Sequence, residues 1–96
     1  MTKSELIDTL AENKGISRRI AEEVVNVIFD GMRDTLCNGG RIEIRGFGSF
    51  KVRQYKGYVG RNPKTGAAIQ VRPKVLPVFK VSKQLKALVN RSLEEG

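Results

Sequence analysis

The chain has 96 residues, 40% of them hydrophobic, and carries a formal net charge of +8 with one cysteine and no histidine. This length suits a single domain, 1–96, and the apolar content with both charge signs argues against disorder. The lack of histidine excludes Ser-His triads and the usual zinc sites, and one cysteine excludes an intrachain disulfide. We therefore expect no cofactor and no small-molecule substrate. Since neither a signal peptide nor a membrane span is apparent, we expect a cytoplasmic protein.

Charge is segregated along the chain. Residues 1–38 carry a net charge of −2, residues 39–81 carry +9, and residues 82–96 carry +1. No Asp or Glu occurs between Arg45 and Arg91. Such a local cationic bias is typical of nucleic-acid binding first and of anionic membrane binding second, and a merely basic protein fits it poorly.

The first third of the chain predicts two helices. Thr2 and Glu5 have capping-box spacing, an apolar stripe follows, and Gly15 suits the C-cap, which together predict a helix over about 3–14. Ser17 suits the next N-cap, and apolar residues at helical spacing then continue for five turns to a Gly-Gly pair.

The second predicted helix has a wide apolar face. This apolar stripe has more surface than one neighbouring helix can cover, so we assign the uncovered apolar surface to a subunit interface. The alternative is that this helix lies at the centre of a monomeric core. Near its end we interpret Cys37 as a small buried residue.

Alternating apolar and polar residues over 41–45 and 49–53 predict a β-hairpin. The period of two places Lys51 and Arg53 on the face opposite Phe50. A third strand is predicted over 75–81.

This third strand contains Pro77, which confines it to an edge or a bulge. Ser82 then suits the N-cap of a last helix ending near Ser92, with 94–96 as a fraying tail. The expected fold class is α+β.

The segment 60–66 predicts the tip of a β-hairpin. Asn62 suits the start of a type I turn, Pro63 suits the next position because its φ is fixed, and Gly66 suits a left-handed residue.

Extended segments flank this tip and predict a projecting two-stranded arm over about 54–74, with strands 51–59 and 67–74. An isolated ribbon of one charge sign buries little and repels itself, so a polyanionic ligand is the expected reason for it. The cations expected to contact that ligand are Lys51, Arg53, Lys56, Arg61, Lys64, Arg72 and Lys74. The part of the chain outside the arm has about 75 residues. A single hydrophobic core of that size contributes little stability, so we expect the chain to dimerise.

The tip residues suit the DNA minor groove. Arg61 matches its negative potential, and Asn62 can donate to acceptors on its floor. Pro63 has a rigid apolar ring and no N–H, which suits a wedge between base pairs; the alternative is a turn proline without a ligand.

Three stretches resemble the bacterial DNA-bending proteins HU and integration host factor. They are 60–66, 41–50, and 78–80 with Lys83, and the likeness extends over essentially the whole chain. The opening 1–6 and the run 41–50 are more similar to beta subunits of integration host factor than to a typical HU.

The resemblance implies an intertwined dimer with a helical base, an antiparallel sheet and two β-ribbon arms that hold double-stranded DNA through the minor groove. It implies Pro63 at the kink, with Arg61 and Asn62 in the groove. The other residues that it places on DNA are Arg41, Arg45, Arg53, Lys80, Lys83 and Lys86, with Lys3 and Ser4 on a phosphate at the first helix. Gly46 and Gly48 would allow close approach to DNA or to the partner subunit.

Some positions depart from the family pattern. Tyr55 and Tyr58 stand where many HU arms carry arginine, and Val81-Ser82 replaces the usual Pro-Gly. The tyrosines would stack or pack on sugars, and Ser82 can still cap the helix.

Several functional alternatives remain open. The chain could act as a homodimer with little sequence preference, like HU, or as one subunit of a site-preferring heterodimer. RNA or another polyanion is an alternative ligand, because charge alone does not distinguish polyanions. An enzyme, such as a nuclease, is disfavoured because Glu43 is the only acid in the β half, whereas metal-dependent phosphodiester chemistry needs clustered carboxylates.

Overall fold

The structure, a computed structural model, describes residues 1–95, with side chains to Leu93. The elements in chain order are α1 (Lys3–Lys14), α2 (Arg18–Cys37), β1 (Ile42–Ile44), β2 (Gly48–Tyr55), β3 (Tyr58–Arg61), β4 (Ala68–Val71), β5 (Lys74–Val81) and α3 (Lys83–Glu95). The α+β class and the predicted order of elements are confirmed. Helix α3 continues past its predicted end near Ser92, and Gly96 of the predicted tail lies outside the described residues.

The two N-terminal helices begin at their predicted caps. Thr2 Oγ1 accepts a hydrogen bond from the Glu5 N–H at 3.1 Å, and Gly15 ends α1 with a φ of 62°. Ser17 Oγ accepts a hydrogen bond from the Ile20 N–H at 3.2 Å at the start of α2. Each cap satisfies a backbone donor that has no partner within its helix.

Strand β2 is the centre of a three-stranded antiparallel sheet with the order β1-β2-β5. It pairs with β5 along its full length, from Gly48 opposite Val81 to Tyr55 opposite Lys74. Strand β5 is an edge strand, as predicted for the strand that contains Pro77, because proline lacks the N–H that a central strand needs.

The arm is not one continuous ribbon. Strands β3 and β4 form a separate two-stranded antiparallel sheet, and residues 56–57 and 72–73, here called the joint, connect it to β2 and β5. The predicted strands 51–59 and 67–74 are therefore both interrupted.

Two residues of the joint explain the break. Pro73 has no N–H to donate to a ladder. Gly57 lies so close to the returning chain that a Cβ there would stand 2.7 Å from the Val71 carbonyl oxygen and 2.9 Å from Pro73 Cδ. The close approach at this position therefore requires glycine.

The hydrophobic core of the single chain is small. In the described part of the chain, the buried apolar residues are Ile7, Ala21 and Val25, each at most 4% exposed. Large apolar side chains on the helices remain exposed, namely Ile20, Val24, Val27, Ile28, Phe29, Leu88, Val89 and Leu93. The apolar excess of α2 is thus uncovered within one chain, which agrees with its assignment to a subunit interface.

The molecule is elongated. Its radius of gyration is 19.6 Å and its principal extents are 60 × 37 × 25 Å. A compact domain of this length would have a radius of gyration of about 12–13 Å. The projecting arm and the open helical base account for the difference.

The predicted burial of Cys37 is wrong for the single chain, where this free thiol is exposed at the end of α2. Its position at the helix end therefore did not bring burial. Within residues 1–95, no helix has both the length and the apolar character needed to cross a membrane.

We predict that Val89→Lys weakens self-association or association with a related subunit. Val89 is 61% exposed, so in a stable monomer the change would alter the free energy of unfolding by less than about 0.5 kcal/mol. If a second subunit covers α3, the change costs about 2 kcal/mol of dimer stability. Sedimentation equilibrium, with thermal unfolding at two protein concentrations, measures the difference. Asn90→Lys is the matched control, and equal effects of the two variants would contradict the assignment.

Candidate nucleic-acid interface

The arm tip is closed by its own backbone. The Asn62 N–H donates to the Ala67 carbonyl at 2.9 Å, and the Gly66 N–H donates to the Asn62 carbonyl at 2.8 Å. Gly66 has a φ of 72°, so the predicted left-handed glycine is confirmed. The loop 63–66 therefore holds its shape without a ligand.

The side chain of Asn62 also stabilises the turn. Its Oδ1 accepts a hydrogen bond from the Lys64 N–H at 2.8 Å. Because the amide oxygen is held by the turn, the Nδ2 group is the part of this side chain left to donate outward.

The other tip residues are exposed. Arg61 Nη1 donates to the Gly66 carbonyl at 3.3 Å, so the guanidinium lies across the mouth of the loop and keeps further N–H groups for a ligand. Pro63 and Lys64 project from the end of the ribbon. The tip thus presents a cation, an amide donor and an apolar ring within four consecutive residues.

The three-stranded sheet has one cationic face. The register of β2 with β5 places Lys51 opposite Val78, Arg53 opposite Leu76, and Tyr55 opposite Lys74. Directly opposed residues share a face of an antiparallel pair, so Lys51, Arg53 and Lys74 lie on one side of the sheet. The predicted separation of Lys51 and Arg53 from Phe50 is confirmed.

The other face of the sheet is apolar. The Phe79 ring centroid lies 4.7 Å from that of Phe50 and 5.6 Å from that of Phe47. Gly48 faces the same cluster, and a Cβ there would stand 2.5 Å from the Lys80 carbonyl oxygen and 2.6 Å from the Phe79 ring. Gly48 is therefore required by packing within its own chain, and its close approach to DNA or a partner stays a prediction.

A second cationic group lies where β5 meets α3. Arg41, Arg45, Lys80 and Lys83 line one shallow depression. The Ser82 N–H donates to the Phe47 carbonyl at 2.9 Å, and Ser82 Oγ accepts from the Leu85 N–H at 3.1 Å. Ser82 therefore caps α3 as predicted, and it fixes the start of the helix beside the sheet.

The charge of Arg41 is partly compensated. Its Nη2 lies 2.9 Å from Glu43 Oε1, and both side chains are exposed. Lys86 is also exposed on α3, one turn beyond the depression. Arg45, Lys80 and Lys83 have no acidic partner within the described residues, so they are more available than Arg41.

The start of α1 forms a third group with an unexpected member. Lys3 and Ser4 are exposed, and Arg18 Nη2 donates to Ser4 Oγ at 3.0 Å. Arg18 Nε also donates to Asp8 Oδ1 at 2.9 Å. Sequence reasoning missed Arg18, because it stands 14 positions after Ser4 and no local pattern relates the two residues.

The joint holds the last two predicted contact residues. Lys56 and Arg72 are exposed there, outside both sheets. The predicted strand 67–74 is therefore interrupted at Arg72, and Lys74 belongs to β5.

These residues form four exposed groups: the tip, the cationic sheet face with the joint, the depression beside α3, and the start of α1. Within residues 1–95 no cluster of three or more His, Cys, Asp or Glu side chains is placed to hold a metal ion. The arrangement is an extended cationic surface, suited to a long polyanion.

The profile of a family described as "Bacterial DNA-binding protein" matches residues 1–90. The chain belongs to this family. It is 47% identical over 96 residues to integration host factor subunit beta of Teredinibacter turnerae, a match that covers 99% of this chain and 98% of that protein. The resemblance to HU and integration host factor is thus confirmed.

Two solved structures of the family have the same fold. An Anabaena HU, crystallised with DNA, superposes with a TM-score of 0.80 at 30% identity, covering 93% of this chain and 97% of that one. HU from Thermotoga maritima superposes with a TM-score of 0.64 at 28% identity, covering 93% and 98% of the two chains. All the site residues predicted from the sequence fall inside the family match over 1–90.

We predict that Gly57→Ala disorders the joint. The added Cβ meets backbone atoms at less than 3 Å, so strands β3 and β4 must shift relative to β2 and β5. Amide hydrogen exchange in 58–71 should accelerate, and trypsin should cleave the arm faster. The matched control is Gly60→Ala, whose Cβ would only reach the Tyr58 ring at 3.4 Å. Equal protection of the arm in both variants would contradict this account of the joint.

Proposed function

We propose that this protein binds double-stranded DNA through the minor groove and bends it, acting as a dimer in the organisation of the bacterial nucleoid. The observation that carries the proposal is the self-supporting tip, which presents Arg61, Asn62 and Pro63 at the end of an arm without acidic residues. Membership of the bacterial DNA-binding family supports the same conclusion.

Affinity is expected to come mainly from the phosphate backbone. Phosphate contacts by Lys and Arg release condensed counterions, and this release makes binding strongly dependent on salt. Lys51, Arg53 and Lys74 would follow the duplex along the sheet face, and Lys80 and Lys83 would meet it beside α3. Lys3 and Ser4 would hold a phosphate at the N-terminus of α1, where the helix dipole favours an anion.

Bending is expected to come from the tip. The Asn62 Nδ2 group can donate to minor-groove acceptors while its Oδ1 remains on the Lys64 N–H. Pro63 lacks an N–H, so its ring can enter an apolar base step without desolvating a donor. The unstacking costs free energy, which is offset when the bent flanks of the DNA reach the cations of the sheet.

A dimer supplies the second arm and the missing core. The exposed apolar faces of α2 and α3 are the surface that a second subunit would cover. The identity of 47% to a beta subunit of integration host factor favours pairing with a related subunit and preference for particular sites. Arg45 would then help to read the site.

The proposed role is architectural and involves no catalysis. Glu43 is the only acid between residues 39 and 81, and its carboxylate is engaged by Arg41 at 2.9 Å. No pair of carboxylates is available there for metal-assisted phosphodiester chemistry.

We predict that Pro63→Ala reduces DNA bending more than DNA binding. The alanine keeps the turn, because the hydrogen bonds that close it belong to Asn62, Lys64 and Gly66. Energy transfer between dyes at the two ends of a duplex should report a smaller bend angle. On a pre-bent or nicked duplex, the affinity should fall less than about three-fold. An unchanged bend angle would show that Pro63 is not the wedge. Pro77→Ala, on the edge strand β5, is the control.

We predict that Lys83→Ala weakens binding to all duplexes alike. Loss of one phosphate contact should lower the magnitude of the slope of log K against log salt by about one for each subunit that carries the change. Anisotropy titrations at several salt concentrations measure the slope, with duplex RNA as a competitor. Lys14→Ala removes the same charge at the far end of α1 and should leave the slope unchanged. A duplex RNA that competes as well as DNA would contradict the minor-groove proposal, because an A-form minor groove is shallow.

A further inference from the structure

We propose that Tyr55 is a positioning residue that holds the guanidinium of Arg53 ready for the DNA backbone. This inference rests on the proposed function, because Arg53 acts only if the cationic sheet face meets a duplex. The observation behind it is the contact of the two side chains, with Arg53 Cζ standing 5.5 Å from the centroid of the Tyr55 ring.

The strand geometry produces this contact. Arg53 and Tyr55 are two residues apart on β2, so they point to the same face of the sheet. Their partners on β5 are Leu76 and Lys74. Tyr55 is the last residue of β2 and is partly buried beside the joint, whereas Arg53 is exposed. The ring is therefore the more fixed member of the pair, and the guanidinium rests on it.

The contact leaves the functional edge of Arg53 free. The N–H donors lie in the guanidinium plane, and within the described residues Arg53 uses none of them in an ion pair or a hydrogen bond, so they remain available to a ligand while Cζ lies over the ring. These donors can form paired hydrogen bonds with phosphate oxygens. A long arginine side chain is otherwise mobile on an exposed strand, so a prior restraint lowers the entropy lost on binding.

The other cations of the face lack such a support. Within the described residues, Arg53 is the one cation that lies over an aromatic ring. Arg61 is restrained differently, by a hydrogen bond to the Gly66 carbonyl. A tyrosine at position 55, where many HU arms carry arginine, therefore removes one positive charge from the arm and orients the guanidinium of Arg53.

The test is a double-mutant cycle with Tyr55→Leu and Arg53→Gln in the full chain, assembled as the dimer that binds DNA. Affinity for a duplex is measured by anisotropy at several salt concentrations. In the free protein, ¹⁵N relaxation of the Arg53 Nε–H group reports its mobility without DNA. Tyr55→Phe keeps the ring, and Tyr55→Thr is a second ringless variant if the leucine variant does not fold.

The proposal expects Tyr55→Leu to weaken binding about two- to five-fold for each subunit that carries it, with the salt slope unchanged. In the Arg53→Gln background the same change should have no effect, and Arg53→Gln itself should lower the magnitude of the slope by about one for each subunit that carries it. Arg53 Nε–H should become more mobile in Tyr55→Leu, and Tyr55→Phe should restore both affinity and order.

An equal loss of affinity in both backgrounds would overturn the proposal, because the ring would then act on DNA or on the sheet by itself. Unchanged Arg53 mobility in Tyr55→Leu would also overturn it, whatever the DNA result. A wild-type dimer that does not bind duplex DNA would instead overturn the proposed function.

Discussion

The pairing of β2 with β5 is the interaction on which the rest of the surface depends. Its register runs without a bulge from Gly48 opposite Val81 to Tyr55 opposite Lys74. A shift by one residue would exchange the two faces, because side chains alternate along a strand. This pairing therefore keeps the phenylalanine cluster on one side and the cations on the other. It also carries the arm, since both strands of the arm emerge from the end of this ladder.

The small core gives the molecule its second constraint. One chain buries only a few apolar side chains in its described part, and most of the apolar face of α2 remains in contact with solvent. Hydrophobic burial is the main favourable term in folding, so a chain with this surface gains much of its stability from a partner. Folding and assembly are therefore expected to be coupled.

Local signals predicted most of the fold and part of the site. The caps at Thr2, Ser17 and Ser82 and the left-handed Gly66 are specified by residue type, so they could be recognised without tertiary information. The joint was missed, because the close approach of Gly57 to Pro73 depends on where the returning strand lies.

The contacts of the cations were also beyond local reasoning. Arg18 reaches Ser4 across the α1–α2 turn, and this pairing depends on how the two helices pack. The contact of Arg53 with Tyr55 follows from strand alternation, yet it requires a rotamer choice that the sequence does not give. Function was easier to predict than these details, because the charge of the arm and the residue types at its tip do not depend on the rotamer of any one side chain.

The backbone closure of the tip makes it a modular element for protein engineering. Asn62 and Gly66 supply the turn, whereas the side chains of Pro63 and Lys64 supply no hydrogen bond to it. The outermost positions can therefore be exchanged for photo-crosslinking or fluorescent residues without dismantling the ribbon. In such a molecule the arm becomes a probe that records which base step it occupies along a genome.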